Sequence, residues 1–554
     1  MPGDPFRFPE IGPHAIQPRR VRKGHADEHF LSDFRYEAPR EDPEFPEIYV
    51  YTDAMSYDPG DEVAFHASTN ADEWTLQIYR DGHSPTMVHE AMSLRGTFTQ
   101  MPNCAWREGC DWPVLHRWTI PKDQMSGFYR VVSSCLRPDG ERFVQHHFFV
   151  VRPTETTRQG SIVMMLATAT WTAYNDWGGA NHYFGIDGSN GNEGSPILTL
   201  NRPWTRGMLW LPNGAARITG AGHTQMGDAP RYPAKEWGYS GGWGQYYAAA
   251  GWAQFDRHFL VWAEAEGFAV DIITQTDLHY RPDLLEGYRC LITCGHDEYW
   301  SWEMRETVDA FVEAGNGLGR FGGNFLWQIR LEDNGRQQHC YKFKALTDDP
   351  VRGTEAARKI TASWESEAVG WPGASTVGVN GYHGMYANWG GFSPKGSQGL
   401  TVYRPEHWVF DGTDLRYADV FGAEAGILGY EVDGLNYTFH RGLPYPVAEP
   451  GVPEGIEILA MTPAMLYEYE HEGPGVRYYL SDSDLVGLAA LAPEAPKAAR
   501  LRYQHGAGML VSMPKGLGEV VTAGSCEWVM GLSRREPFTM TITRNVLSRF
   551  SAKV

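Results

Sequence analysis

The sequence holds only seven cysteines in 554 residues: Cys104, Cys110, Cys135, Cys290, Cys294, Cys340 and Cys526. Few, odd in number and widely scattered, they exclude a disulfide framework. Cys104 and Cys110 are near enough in sequence for a local bridge or metal pair, but no second ligand pair lies nearby to complete a zinc site. Basic charge is also scarce, with 48 Lys and Arg against 68 Asp and Glu and a formal net charge of −20. This argues against nucleic acid as the main partner, because phosphate neutralisation needs clustered cations. The one basic cluster, Arg19, Arg20, Arg22 and Lys23, is short and reads as a solvated N-terminal arm. No run approaches the ~20 apolar residues that span a bilayer, and the first residues lack the apolar core of a secretory signal. The expectation is a cytoplasmic protein with no membrane partner.

What is abundant is glycine, proline and tryptophan, with 62, 35 and 20 residues. Gly and Pro together exceed the norm of roughly 12%, which predicts a loop-rich protein built mostly from short strands and turns. With 42% hydrophobic and 21% charged residues the chain buries a core and is neither disordered nor fibrous. Its length predicts about three structural units.

Residues 1–46 are rich in Pro and charge and show no sustained periodicity, so they read as an extended arm. From Glu47 short alternating runs follow one another, among them EIYVYTD, DEVAFHAST, WTLQIYRDG, GFYRVVSSC and FVQHHFFVV, separated by turn signals such as DPGD and RPDG. They predict an immunoglobulin-like β-sandwich over 47–153. After Pro153 the pattern changes, because SIVMMLATA is a continuous apolar run of the kind a strand buried on both faces needs. A loop-rich stretch comes next. It is followed by a helix around 254–266, strands FAVDIIT and RCLITCG, a helix over 302–313 and a strand GLGRFGG. Strands alternating with helices predict a parallel sheet, so 154–354 reads as the first part of an α/β domain. Residues 355–450 return to Gly- and aromatic-rich β character and read as an inserted β subdomain. Residues 451–554 complete the α/β domain with strands GMLVSMP and EVVTAGS and a helix near 541–550.

Open parallel sheets bind ligands beyond the carboxyl ends of their strands. Three stretches fall there: 170–179 after the first strand, His296-Asp297-Glu298-Tyr299 after RCLITCG, and Asn324 after GLGRFGG. His296 to Tyr299 is the densest group of titratable side chains in the chain. Tyr174 and Tyr183 gain meaning from that company, since two phenolates and a glutamate are hard ligands that suit a ferric ion better than Zn²⁺. Such binding requires the phenols, ordinarily near pKa ~10, to give up their protons to the cation.

Several segments carry a family resemblance. They are Ala173-Tyr174-Asn175 with Gly178-Gly179 and Tyr183, Asn201-Arg202-Pro203, Gly295-His296-Asp297-Glu298-Tyr299-Trp300-Ser301, Gly323-Asn324, Cys340-Tyr341-Lys342 and Gly429-Tyr430-Glu431-Val432-Asp433. Over about 160–440 the sequence resembles the large subunit of N,N-dimethylformamidase and its relatives. The resemblance implies an amidohydrolase α/β domain related to class I glutamine-amidotransferase domains, holding one mononuclear Fe³⁺ ion through Tyr174, Tyr183 and Glu298. It implies His296, Asn324 and Glu431 as polar groups around a small amide substrate, in a homo-oligomer that admits a small partner subunit. The family's large subunit is longer at its N-terminus. Trp204 stands where many relatives have Tyr, and 206–250 reads as a Gly-, Trp- and Tyr-rich insertion placed to cover the pocket. The implied chemistry is attack of a water on the amide carbonyl, with Glu431 or His296 moving the proton and Asn324 donating to the oxyanion.

Two rivals stand beside this expectation. Cys294 ends a buried strand close to His296, a setting for a cysteine nucleophile of amidotransferase type. The aromatic wealth and the predicted sandwich also fit a carbohydrate-binding β-rich protein without catalysis.

Overall fold

A computed structural model describes residues 4–8, 20–22, 34–40, 42, 44–186, 194–217, 237–238, 240–244, 246–386, 399–465 and 505–552. Most of the expected arm, the centre of the expected insertion at 206–250 and residues 387–398 lie outside the described residues. The protein is a mixed α/β molecule rich in β-sheet.

The alternating runs after Glu47 form eight strands: β1 (Ile48–Thr52), β2 (Ser56–Tyr57), β3 (Glu62–Thr69), β4 (Glu73–Asp81), β5 (Thr86–Arg95), β6 (Val114–Thr119), β7 (Gly127–Leu136) and β8 (Arg142–Val151). They make a five-stranded sheet in the order β2-β8-β7-β4-β5 and a three-stranded sheet in the order β1-β3-β6. Val50 and Phe65 from one sheet and Ile78, Val131 and Phe149 from the other share one fully buried apolar core. Alternation with period two gives each strand one face for that core.

A nine-stranded sheet is the largest among the described residues: β9 (Ile162–Leu166), β10 (Val270–Thr274), β11 (Cys290–His296), β12 (Gly317–Gly323), β13 (Leu400–Val402), β14 (Val420–Phe421), β15 (Glu457–Met465), β16 (His505–Lys515) and β17 (Gly518–Ala523). Their spatial order is β10-β9-β11-β12-β17-β16-β15-β13-β14. The first five pair in parallel, and the pairings from β17 onward are antiparallel. Every residue of β9, β10, β11 and β12 is buried, as a parallel sheet covered on its faces requires. The helices that cover it include α1 (Arg257–Ala265), α2 (Trp302–Glu313) and α3 (Pro537–Ser551). Helix α2 starts where the sequence places it, because Ser301 accepts the backbone N–H of Met304 at 3.2 Å and caps the first turn.

The expected loop after the first strand differs. The strand stops at Leu166 and residues Thr168–Tyr174 form a fully buried helix of about two turns. Its Thr-rich sequence has low helix propensity, so burial rather than local preference holds it.

The sandwich docks on the nine-stranded unit through a buried ion cluster. Asp81 at the end of β4 meets Arg257 of α1 at 3.1 Å and Arg130 of β7 at 3.4 Å, all with fully or almost fully buried side chains. Trp252 donates its indole N–H to Asp81 at 3.0 Å and stacks on Phe128 with ring centroids 3.9 Å apart. Burial pushes the Asp81 carboxyl up, but Arg257 and Arg130 outweigh it and hold the group below its ordinary range. Asp81→Ala strands two buried guanidinium charges, and we expect it to cost about 3–5 kcal/mol, read as a lowered denaturant midpoint.

Candidate functional site

The register of β11 and β12 places His296 beside Gly323, so residues 297–298 and 324 emerge together at the carboxyl end of the parallel strands. Gly323 has to be glycine, since a Cβ there would stand 2.4 Å from the Glu431 carbonyl oxygen of the short strand Glu431–Gly434 that crosses it. That crossing is fastened by Asp433, which accepts from the Arg320 guanidinium at 2.9 Å and from the Asn324 backbone N–H at 2.9 Å. Glu431 and Asp433, two apart on one strand, share a face. Asp433 therefore grips the Asn324 turn while Glu431 reaches the Asn324 side chain.

Tyr174 arrives from the end of the buried helix 168–174, and Thr170 of that helix accepts the Glu298 backbone N–H at 2.9 Å, linking the two segments. Tyr183 is brought back by the loop that follows. Buried Arg202 of the Asn-Arg-Pro segment ties this loop, donating to the carbonyls of Trp177 at 2.6 Å, Ala180 at 3.0 Å and Asn175 at 2.9 Å. The Asn201-Arg202-Pro203 match thus has a mechanical reading: it shapes the loop that carries the second tyrosine.

All six residues singled out in the sequence converge. The Tyr174 hydroxyl donates to Glu298 Oε2 at 3.0 Å, and the Tyr183 hydroxyl lies 2.7 Å from that of Tyr174 and 3.0 and 3.1 Å from the two Glu298 oxygens. His296 Nδ1 meets the Ala249 carbonyl at 2.8 Å, so that nitrogen carries a proton and Nε2 faces inward. His296 Nε2 stands 3.2 Å from Glu298 and 2.7 Å from Glu431. The Asn324 amide donates to Glu431 at 2.5 Å and lies 3.3 Å from His296 Nε2. Ala249 belongs to the expected insertion, so its described end supplies a backbone partner to the site.

Burial dominates the electrostatics. It raises the phenol pKa values of Tyr174 and Tyr183 well above the ordinary range, and the negative charge of Glu298 adds to the effect. With no cation both phenols keep their protons and donate. Burial pulls the His296 pKa down, but Glu431 and Glu298 outweigh it and lift it to about 10. Burial also pushes Glu298 up, yet His296, Lys342 and the Tyr183 hydroxyl bring it below its ordinary range, so it is a carboxylate. Glu431, for which burial prevails, sits above the ordinary range.

Two candidate metal-ligating triads share Glu298. One is Tyr174, Tyr183 and Glu298, whose oxygens lie within 3.1 Å of one another. The other is His296, Glu298 and Glu431, whose ligand atoms lie within 4.8 Å of one another. The first offers hard oxygen donors only and fits a hard trivalent cation. The second adds the imidazole nitrogen of His296, a softer donor than the oxygens of the first.

The structure adds Lys342 and Tyr246, which the sequence did not single out for the site, and gives Tyr299 of the His296–Tyr299 group a place in it. Buried Lys342 places its ammonium 3.0 Å from the Tyr299 hydroxyl and 3.3 Å from the Tyr183 ring centroid, and Tyr299 in turn donates to the Tyr183 hydroxyl at 2.8 Å. Tyr246 packs on both tyrosines, at 5.9 Å from Tyr174 and 5.8 Å from Tyr183. Lys342, Tyr299 and Tyr430 all lie inside matching segments, which was the available signal. Cys294 does not fit a nucleophile. Burial raises its thiol pKa well above the ordinary value, Asp256 and Asp297 add to that, and the imidazole of His296 is engaged by two carboxylates. Many tryptophans, Trp74, Trp112, Trp171, Trp252, Trp300 and Trp528 among them, are fully buried in the core, where they can form no sugar platform.

Comparison with known proteins bears on this geometry. Residues 75–541 match the family described as N,N-dimethylformamidase beta subunit-like, C-terminal. The chain belongs to this family. The N,N-dimethylformamidase beta subunit of an Alcaligenes species is 23% identical over 399 residues, 66% of this chain and 47% of that protein. That of Paracoccus aminophilus is 26% identical over 211 residues, 34% of this chain and 25% of that protein. The chain thus spans half or less of the length of these dimethylformamidase relatives. Among solved structures, Spo0M from Bacillus subtilis aligns at 17% identity and TM-score 0.15, covering 20% of this chain and 50% of its own. Murine CRIg aligns at 13% identity and TM-score 0.14, covering 20% of this chain and 99% of its own. Among the described residues of this chain, no helix is long and apolar enough to cross a membrane.

Proposed function

We propose that this chain is an iron-dependent amidohydrolase that cleaves the C–N bond of a small N-substituted amide or formamide. The observation that carries the reading is the meeting of two phenol oxygens and a carboxylate within 3.1 Å, beside a His–Glu pair and a carboxamide donor. Tyr174, Tyr183 and Glu298 are the residues that would hold a mononuclear ferric ion, and when bound it would supply Lewis-acid polarisation of the carbonyl and acidify water.

The chain's own residues account for the remaining steps. Glu431, held by His296 and Asn324, takes a proton from the attacking water as oxygen adds to the carbonyl carbon. His296, fixed by its Nδ1–H bond to Ala249, keeps that carboxylate aimed and stabilises its charge. The Asn324 amide donates to the developing oxyanion. The proton then passes from Glu431 to the amine nitrogen, the C–N bond breaks, and a carboxylic acid and an amine leave. Tyr246, Tyr174 and Tyr183 supply an aromatic surround suited to a neutral substrate.

On this reading the sandwich over 47–153 is immunoglobulin-like, and the nine-stranded unit is related to class I glutamine-amidotransferase domains, with the part of 355–450 outside strands β13 and β14 as its insertion. Both relatives are named as beta subunits, which supports an assembly of more than one subunit for this chain as well. Iron-loaded protein assayed against formamides, acetamides and larger amides tests the reading. We expect hydrolysis of small N-substituted members, and loss of turnover for the whole panel would sink it. Asn324→Ala should lower kcat by about 10²–10³-fold, measured on the best substrate of that panel.

A further inference from the structure

Three non-glycine residues at the site adopt left-handed backbone, Asn324 at φ 65°, Lys342 at φ 50° and Tyr430 at φ 55°. Asparagine tolerates this conformation; a bulky aromatic rarely does and persists there only where its surroundings impose it. We propose that Tyr430 is a positioning residue, whose left-handed backbone and wedged ring together set where Glu431 meets His296 and Asn324.

The surroundings impose it from both sides. Upstream, the Ile427 carbonyl accepts the Ser525 hydroxyl at 2.8 Å. Downstream, the Glu431 carbonyl accepts the Cys526 backbone N–H at 3.0 Å, and the Asp433 N–H donates to the Gly524 carbonyl at 3.0 Å. Residues 427 and 431–433 are therefore fastened to one short segment, 524–526, and the chain between them has little slack. The Tyr430 ring is buried, stands edge-on to the His296 imidazole with centroids 5.1 Å apart at 86°, and lies near-parallel to Phe255 at 6.2 Å. Phe255 itself packs against His296 at 6.3 Å. The ring thus blocks the space into which the imidazole, and with it the Glu431 carboxylate, would otherwise relax. Its role is exerted through Glu431 and His296.

This inference deepens the hydrolase reading and rests on it for its kinetic arm, while a structural arm stands alone. The experiment compares wild type with Tyr430→Phe, Tyr430→Gly and Tyr430→Asn. Glycine and asparagine both accept left-handed backbone and both delete the ring; phenylalanine keeps the ring. We expect Tyr430→Phe to retain kcat within about threefold, and the two ring-free variants to lose about 10²-fold in kcat at unchanged iron content. Crystal structures should show the Glu431–His296 contact kept in Tyr430→Phe and opened beyond about 3.5 Å in the others. Tyr430→Asn serves if Tyr430→Gly does not fold. Ring-free variants that keep both kcat and the contact would overturn the proposal, as would a Tyr430→Phe protein as impaired as they are. If wild type hydrolyses no amide, the hydrolase reading fails, and the Glu431–His296 contact in the crystal structures alone decides this one.

Discussion

Glu298→Ala is expected to remove both properties assigned to the site, with iron falling to background and amide hydrolysis dropping by on the order of 10³-fold or more. Glu298 is the one side chain common to the two triads. It accepts from Tyr174 at 3.0 Å and from Tyr183 at 3.0 and 3.1 Å, and it pairs with His296 at 3.2 Å. Without it, the buried phenol of Tyr174 and the half-buried one of Tyr183 lose the carboxylate they donate to, and two neutral hydroxyls do not hold a trivalent ion against hydrolysis. His296 keeps Glu431, so the polar half of the site should survive. The discriminating observation is thus a protein that still folds, at a lowered melting temperature, with no iron and no turnover. Retention of stoichiometric iron in Glu298→Ala would remove Glu298 from the ligand set.

Glu431→Gln is expected to cost about 10²–10⁴-fold in kcat, the range of a general acid–base group, with little change in KM or iron content. Glutamine keeps the shape and the bond from Asn324 but cannot take a proton. The pH profile gives a second readout. Burial holds the Glu431 carboxyl above its ordinary range, and the group acts only when deprotonated. Wild-type activity should therefore fall as pH drops through a limb lying above the usual carboxylate value of 4.5. In Glu431→Gln that limb should vanish, leaving low and nearly flat activity. A variant that lost activity but kept the same limb would assign the titration elsewhere, with His296 the first alternative.

The strands that position the site were legible because burial on both faces writes a continuous apolar run. The run RCLITCG ends in the structure at His296, and helix α2 begins after Ser301, whose side chain caps it. The convergence of Tyr174, Tyr183 and Glu298 was legible only through family resemblance, since 124 positions separate Tyr174 from Glu298 and no periodicity reports a contact of that span. Helix 168–174 was not legible, because its threonines favour extended backbone and tertiary burial overrides them. Strand β5 was missed for a related reason. It is an exposed edge strand with two register shifts against β4, so its alternation is broken. Lys342, Tyr299 and Tyr430 act through neighbours, by an ammonium on a phenol or a strained backbone beside a carboxylate, and a residue's type alone does not announce such a role.

The account turns on whether Tyr174, Tyr183 and Glu298 hold iron. The most direct measurement is metal analysis with a visible absorption spectrum on purified wild type and on Tyr174→Phe. Stoichiometric iron and a tyrosinate-to-Fe³⁺ charge-transfer band in wild type, with the band lost or shifted in the variant, is the predicted result. Wild type without iron or colour after loading with Fe²⁺ and oxidation in air, spectrally indistinguishable from Tyr174→Phe, would contradict it.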